Sequence, residues 1–277
     1  MRRSIVKYRL YGSIISSVAA VSITVMAWAP AIAQDGAGKG KGKGKGGAAK
    51  GYQPPQGAAP KTASGKPDFS GLWQRPYVPD MSKNSKGGDQ KGEPDLPFTA
   101  WGKAEWEKYD PVNGDYTGAC LPFGLVRSMN SPDPIQIMQS DAYLGLLYEQ
   151  NTWFKVIPLD GRAHRNGVST WFGDSVGKWE GDTLVVDTTN FNGKSRLDTI
   201  GHPLSDQIHT VERFGRPDLG HMSYQIMIDD PKTFTKSWTN TRTFVLRTDW
   251  EIMEYSCEEN NKSFWEGRIK VPESAKP

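Results

Sequence analysis

Residues 173–191 read GDSVGKWEGDTLVVDTTNF: one strand-like run ends at Trp179, Glu180-Gly181 follows, and a second run continues from Asp182 to Asn190. Alternating runs either side of a Glu-Gly pair predict a β-hairpin, with glycine supplying the positive φ of a tight turn. A two-residue turn at Glu180-Gly181 sets Asp174 opposite Asp187, beside Val176 and Val185. Facing carboxylates in a half-buried site drive one pKa upward and prepare a general acid. A three-residue loop shifts the pairing, and Asp187 then caps a turn or faces water.

Working outward, Ile208–Phe214 and His221–Ile228 form a second hairpin around residues 215–220. Alternation puts His209, Val211 and Arg213 on one face. Folding the chain back adds Met222, Tyr224 and Ile226 to it, and this mixed face is expected to look inward. A buried arginine needs a protein carboxylate or an anionic substrate. Further strands are expected over Tyr143–Ile157, Trp238–Leu246 and Glu251–Cys257. Short strands joined by turns, with no helices between them, give a mainly β chain folded as an antiparallel β-barrel, lipocalin-like. Polar residues on both strand faces favour a barrel around a ligand cavity over a dry sandwich. The stretch 67–134 is irregular and Pro-rich, with one helix expected from Thr99 to Tyr109.

Towards the N-terminus, Arg2, Arg3, Lys7 and Arg9 precede an apolar run from Ile14 to Trp28 and then Ala31-Ile32-Ala33. A basic head, short apolar middle and small-x-small exit mark residues 1–33 as a secretion signal cleaved before Gln34. The domain is therefore placed in the periplasm or secreted. Residues 34–66 are rich in Gly, Lys, Pro and Ala and read as a disordered tether, free to rest weakly on an anionic envelope surface. Residues 67–277 form a single β-rich domain. The chain's formal charge is +3; removing the four signal bases leaves about −1, and removing seven tether lysines and Asp35 leaves about −7. An acidic domain carries no nucleic-acid footprint. Cys120 and Cys257 are the two cysteines. Export and an even count read as a disulfide, with a thiolate nucleophile the poorer alternative.

A Gly-rich phosphate loop followed by a helix, His-Glu-x-x-His and Cys-x-x-Cys are missing from the sequence. Gly173-Asp-Ser-Val-Gly177 fits Gly-x-Ser-x-Gly by letter but lies on the expected hairpin strand and forms no strand-to-helix elbow. Nucleotide, zincin, redox and α/β-hydrolase chemistry therefore lose their usual warrant. No two of His164, His202, His209 and His221 pair at metal-ligand spacing, and neither metal nor cofactor is expected. His202 or His209 is the candidate proton-transfer group, since histidine titrates nearest neutrality. Asp187 or Asp198 is its orienting carboxylate. Arg213 anchors a substrate carboxylate or phenolate. Glu212, Tyr224, Trp179, Arg162 and Tyr148 are candidate substrate contacts, the aromatic ones suited to a planar ligand.

The run Gly173-Asp-Ser-x-Gly-x-Trp-Glu-Gly-Asp-Thr-Leu-Val-Val-Asp-Thr-x-x-Phe191, with Gly201-His-Pro203, Glu212-Arg-Phe214 and Asp229-Asp-Pro-Lys232, resembles a large, mostly uncharacterised family of secreted proteins from environmental bacteria. Glu149, Arg162, His164, Trp179, Asp187, Asp198, His202, Glu212 and Arg213 match that family's pattern by residue type. Lys194-Ser195 departs from it where an aromatic is expected. The resemblance implies a small-molecule lyase or decarboxylase of aromatic catabolism, and brings no catalytic residues of its own. Two functions follow: a cofactor-independent acid/base enzyme acting on a small aromatic compound, or a non-catalytic barrel that binds a hydrophobic or aromatic small molecule.

Overall fold

The first hairpin forms, but around Gly181-Asp182. Strand β6 (Asp174–Glu180) pairs with β7 (Thr183–Thr189) so that Glu180 meets Thr183 and Val176 meets Asp187. Gly181 takes φ +63°, the left-handed value such a turn needs. The expected Asp174–Asp187 pair is therefore wrong: Asp174 faces Thr189. The second hairpin joins β8 (His209–Gly215) to β9 (His221–Asp229), with Arg213 opposite Gln225 and Phe214 opposite Tyr224. This register inverts the expected face on β8 alone. Thr210, Glu212 and Phe214 are buried and His209, Val211 and Arg213 point outward, while Met222, Tyr224 and Ile226 of β9 face inward as expected.

The computed structural model describes residues 51–85, 88–110, 115–167, 169–259 and 261–269. The expected signal and residues 34–50 lie outside these. The remaining strands are β1 (Gly71–Gln74), β2 (Gln90–Lys91), β3 (Ile135–Gln139), β4 (Tyr143–Tyr148), β5 (Phe154–Pro158) and β10 (Trp238–Leu246). Ten strands among the described residues make one antiparallel sheet in the order β5-β4-β3-β1-β10-β9-β8-β7-β6, with β2 also on β10. The end strands β5 and β6 come together without a backbone ladder, giving a nearly closed barrel, as the alternation predicts. The Gly161 amide donates to Gly177 O at 3.1 Å across this seam. Gly177 permits the approach: a Cβ there would lie 2.7 Å from Leu159 Cδ2.

Three expectations fail locally. The run 143–157 is two strands, broken by a 3-10 turn at Gln150–Thr152. Residues 251–257 form no strand. Residues 51–66, assigned by composition to the tether, lie along the barrel. Tyr52 Oη donates to Leu246 O at 2.7 Å, Lys61 pairs with Asp182, and Lys66 stands over the Trp179 ring. The helix forms as α1 (Ala100–Glu107), capped by Thr99. Helix α2 (Leu125–Asn130) is buried throughout, and α3 (Lys262–Trp265) is short. Cys120 and Cys257 are disulfide-bonded. No helix among the described residues is long and apolar enough to cross a membrane.

Inside the barrel the strands contribute Leu144, Leu146, Tyr148, Ile157, Leu184, Val186, Phe214, Tyr224, Ile226 and Phe244, all fully or almost fully buried. The polar residues expected to line a cavity are spent on internal partners. Lys155 Nζ lies 2.8 Å from Glu212 Oε2, and Tyr224 Oη donates to Glu212 Oε1 at 3.0 Å. Arg242 donates to Met129 O and to Asn240 Oδ1, and Arg75 donates to the carbonyls of Ser128 and Asp133. Burial brings both guanidinium pKa values down to about 10. Tyr224 is pushed well above its ordinary value, first by burial and then by the Glu212 charge.

Candidate functional site

The loop after β5 explains the best-formed surface site. It folds over the outer face of β6 and β7, covering Val176 and Val185, which are outward-facing yet 8% and 4% exposed. His164 pins it there. Its Nε2 lies 2.7 Å from Asp187 Oδ1 and its Nδ1 3.2 Å from Asp174 Oδ2. The Arg165 amide and Nε reinforce this, each 2.9 Å from an Asp174 oxygen. From β8, His209 Nε2 reaches the other Asp187 oxygen at 2.8 Å. One carboxylate thus bridges two imidazoles. The two aspartates that fail to face each other across the hairpin are diagonal neighbours instead, joined through His164.

Burial acts to raise the Asp187 pKa, but the hydrogen bonds and charges of His209 and His164 outweigh it and hold the carboxyl below its usual range. Asp174 is likewise held low against burial, by Arg165 and His164. Neither is an acid kept protonated at neutral pH, contrary to the general-acid expectation.

This cluster borders a groove of about 440 Å³. Val176, Val185 and Val211 form its apolar part, and Arg162, Lys178, Glu180 and Arg213 stand around it. Arg213 pairs with Glu180 at 2.9 Å and Arg162 with Asp160 at 2.6 Å. Both pairs are exposed and exchangeable. The Glu180 pKa is lowered chiefly by its hydrogen bond from Arg213.

Four of the expected site residues, Asp187, His209, Arg213 and Arg162, meet here. The other six do not. His202 is 2% exposed; its Nδ1 lies 2.7 Å from Asp198 Oδ2, and its ring packs 4.4 Å from Trp106 and 5.6 Å from Phe98. Asp198 is fully buried and also accepts from the Met81 amide. The two order a loop and are closed off from solvent, which leaves the proton-transfer roles given to His202 and Asp198 without access to a substrate. Glu212, Tyr224 and Tyr148 are buried side chains away from this groove, with Tyr224 hydrogen-bonded to Glu212. Trp179 stacks on Phe69 at 5.9 Å and packs against the core. Asp80, Asp198 and His202 bring three ligand atoms within 4.8 Å of one another. Asp80 Oδ1 is engaged by the Ser82 amide and hydroxyl, and Asp198 as described, so hydrogen bonds account for the group.

His164 is the residue of this site that strand alternation misses. It lies in the loop after β5, where period-two alternation carries no information about side-chain direction.

No protein-family model and no curated protein matches this chain. Among solved structures, a fatty acid transporter described as REP1-NXSQ is 13% identical, with 66% of this chain and 98% of that one covered at a TM-score of 0.33. A point mutant of the fluorescent protein UnaG is 12% identical, covering 65% and 97% at a TM-score of 0.29. At such scores neither says anything of this chain's ligand.

Proposed function

We propose that this protein is a non-catalytic periplasmic binder of a small molecule with an apolar, aromatic body and an acidic group. The observation that supports it is the outer groove of β6–β8, where a valine surface adjoins Arg162, Arg213 and the His164–Asp187–His209 bridge. Its volume is in the range of small-molecule sites, roughly 300–1,000 Å³. A ligand carboxylate can take the place of Glu180 on Arg213 at little cost, since exposed ion pairs contribute about 0–1 kcal/mol. Binding is favoured over catalysis because, where His209 and Asp187 meet, the carboxylate is shared with His164 and both imidazole Nε2 atoms are spent on it, while the other pair, His202 and Asp198, is buried apart from the groove.

Calorimetric titration with benzoate and phenylacetate tests this. Arg213→Leu and His209→Ala are expected to weaken binding by about tenfold each, near the lower end for a charge-assisted hydrogen bond. His202→Ala is expected to lower the melting temperature and leave affinity unchanged. Unchanged affinity in both groove variants would remove the ligand from this groove. Consumption of the ligand on incubation would replace the binding reading with the acid/base one.

A further inference from the structure

Four strongly exposed apolar side chains stand together on the far side of the barrel seam. Met138, Phe154, Val156 and Met253 are 60%, 70%, 56% and 68% exposed. The first three share the outer face of β3–β5, where Met138, Gly145 and Val156 are paired abreast and Leu147 is paired with Phe154. Ile252 and Met253, on the chain after β10, cross this face, and the Met253 amide donates to Glu149 Oε2 at 2.9 Å. Between them and the sheet lies a groove of about 460 Å³, walled by Leu147, Trp153, Phe154, Val156 and Met253. Along β5 it adjoins a cavity of about 420 Å³, which Phe154 and Val156 also line and where Arg162 and Arg165 stand.

Gly145 leaves the floor of the groove open. Glycine inside a strand weakens it, and often marks a place where a ligand or another chain approaches closely. The sheet itself does not require it: a Cβ there would come no nearer than 3.5 Å to any neighbour, the closest being Met138 O. A sheet face turned to water ordinarily carries polar side chains, and a contiguous apolar surface marks a contact. A recess between the sheet and a crossing segment suits a narrow chain better than a bilayer, which meets a protruding face. Charge gives the occupant a direction. Glu254 stands at the Ile252-Met253 end, and Arg162 and Arg165 at the other. Asp174 is the acid lining that basic end, and it keeps the Arg165 amide and His164 as partners when the Arg165 guanidinium turns to a ligand.

We propose that the two cavities together bind a single-chain anionic amphiphile. Its alkyl chain lies over Gly145 and Val156 beneath Met253, and its acidic head reaches Arg162 and Arg165. The outer groove shares Arg162 and Val176 with the head end and nothing with the alkyl end.

Hexanoate, octanoate and decanoate, titrated calorimetrically into the full chain below their micellar concentrations, test this. Each added pair of methylenes should tighten binding by roughly tenfold. Neutral 1-decanol should bind several-fold more weakly than decanoate, and Arg165→Gln should narrow that difference. Gly145→Val places a β-branched side chain on the groove floor, where it suits a strand. The melting temperature should hold or rise while decanoate affinity falls tenfold or more. Phe154→Ser, at a side chain mostly in solvent, should weaken decanoate several-fold and gives a second reading if Gly145→Val disturbs the sheet. Benzoate binding should survive Gly145→Val, and decanoate binding should survive Arg213→Leu, which keeps the two sites' failures apart. Affinity independent of chain length, equal affinity for decanol, or indifference to both groove variants overturns the proposal. So does sedimentation with phosphatidylglycerol vesicles that Phe154→Ser abolishes while free decanoate does not bind, since the face would then meet a membrane.

Discussion

Asp187 accepts from two histidines at once, and this sets how the groove responds to acid. Its folded pKa lies below the unfolded value of about 3.9. The unfolded state therefore binds the proton more readily, and stability from this group is present above pH 4 and lost as pH falls through the folded pKa. Asp187→Asn is neutral throughout and cannot take part. Urea midpoints at pH 5, 4 and 3 should show the wild type ahead at pH 5 and the gap closing towards pH 3. A gap independent of pH would mean that the imidazoles do not favour the ionised carboxylate. The carboxylate is about 42% exposed, so the effect at pH 5 is expected to be small, of the order of 1 kcal/mol or less. His202 and Asp198 make the same kind of contact in full burial, which is why one pair orders a loop and the other meets a groove.

Across the elements, the pairing of β5 with β8 residues shows what the barrel does with interior charge. Lys155 and Glu212 are 4% and 0% exposed, and the Tyr224 hydroxyl completes the carboxylate. Removing one charge strands the other, so Lys155→Met is expected to cost about 3–5 kcal/mol. Adding Glu212→Gln leaves no charge and keeps an acceptor for Tyr224, so the double variant should recover most of that loss. Additive losses in chemical denaturation would show that the pair is not coupled. The sequence displayed these strands through their period-two alternation, and it displayed the hairpins through their glycines. It did not display which face turned inward. Moving the first turn from Glu180-Gly181 to Gly181-Asp182 keeps Asp174 and Asp187 on one face but separates them. In the second hairpin the pairing of Gly215 with Ser223 shifts β8 by one against β9, which turns His209 and Arg213 outward while Tyr224 keeps its inward face. Residues 215–220 contain several glycine and aspartate positions where a turn can close, and only burial of Phe214 against Tyr224 and Phe69 selects among them. The groove was half legible for the same reason: strand residues were found, whereas His164 is brought by tertiary folding of a loop.

At the scale of the molecule, the strands close into a packed barrel and the chain on either side wraps its outside. Residues 51–66 are held by Tyr52, Lys61 and Lys66. The segment after β10 leaves the sheet and returns to the 3-10 helix Tyr116–Ala119 through the Cys120–Cys257 bond, with Asn261 Nδ2 donating to Gly118 O at 2.7 Å. The bond spans a sequence separation of 137 residues. In the chain-entropy account a loop of that length removes roughly 4–5 kcal/mol from the unfolded ensemble. The C-terminal segment also adds no strand to the barrel, so without the bond it can detach while the sheet stays paired. That detachment returns entropy to the native state and offsets part of the loss. Serine at both cysteines should therefore leave a folded barrel with its far-ultraviolet spectrum intact, and lower the unfolding free energy by less than the full loop term. Hydrogen exchange should speed up first in residues 251–269 and 116–120, ahead of β8–β10. Equal urea midpoints for the serine variant and the oxidised wild type would show that the bond constrains neither state. Exchange rising uniformly through the sheet would show that the C-terminal segment and the barrel unfold as one unit.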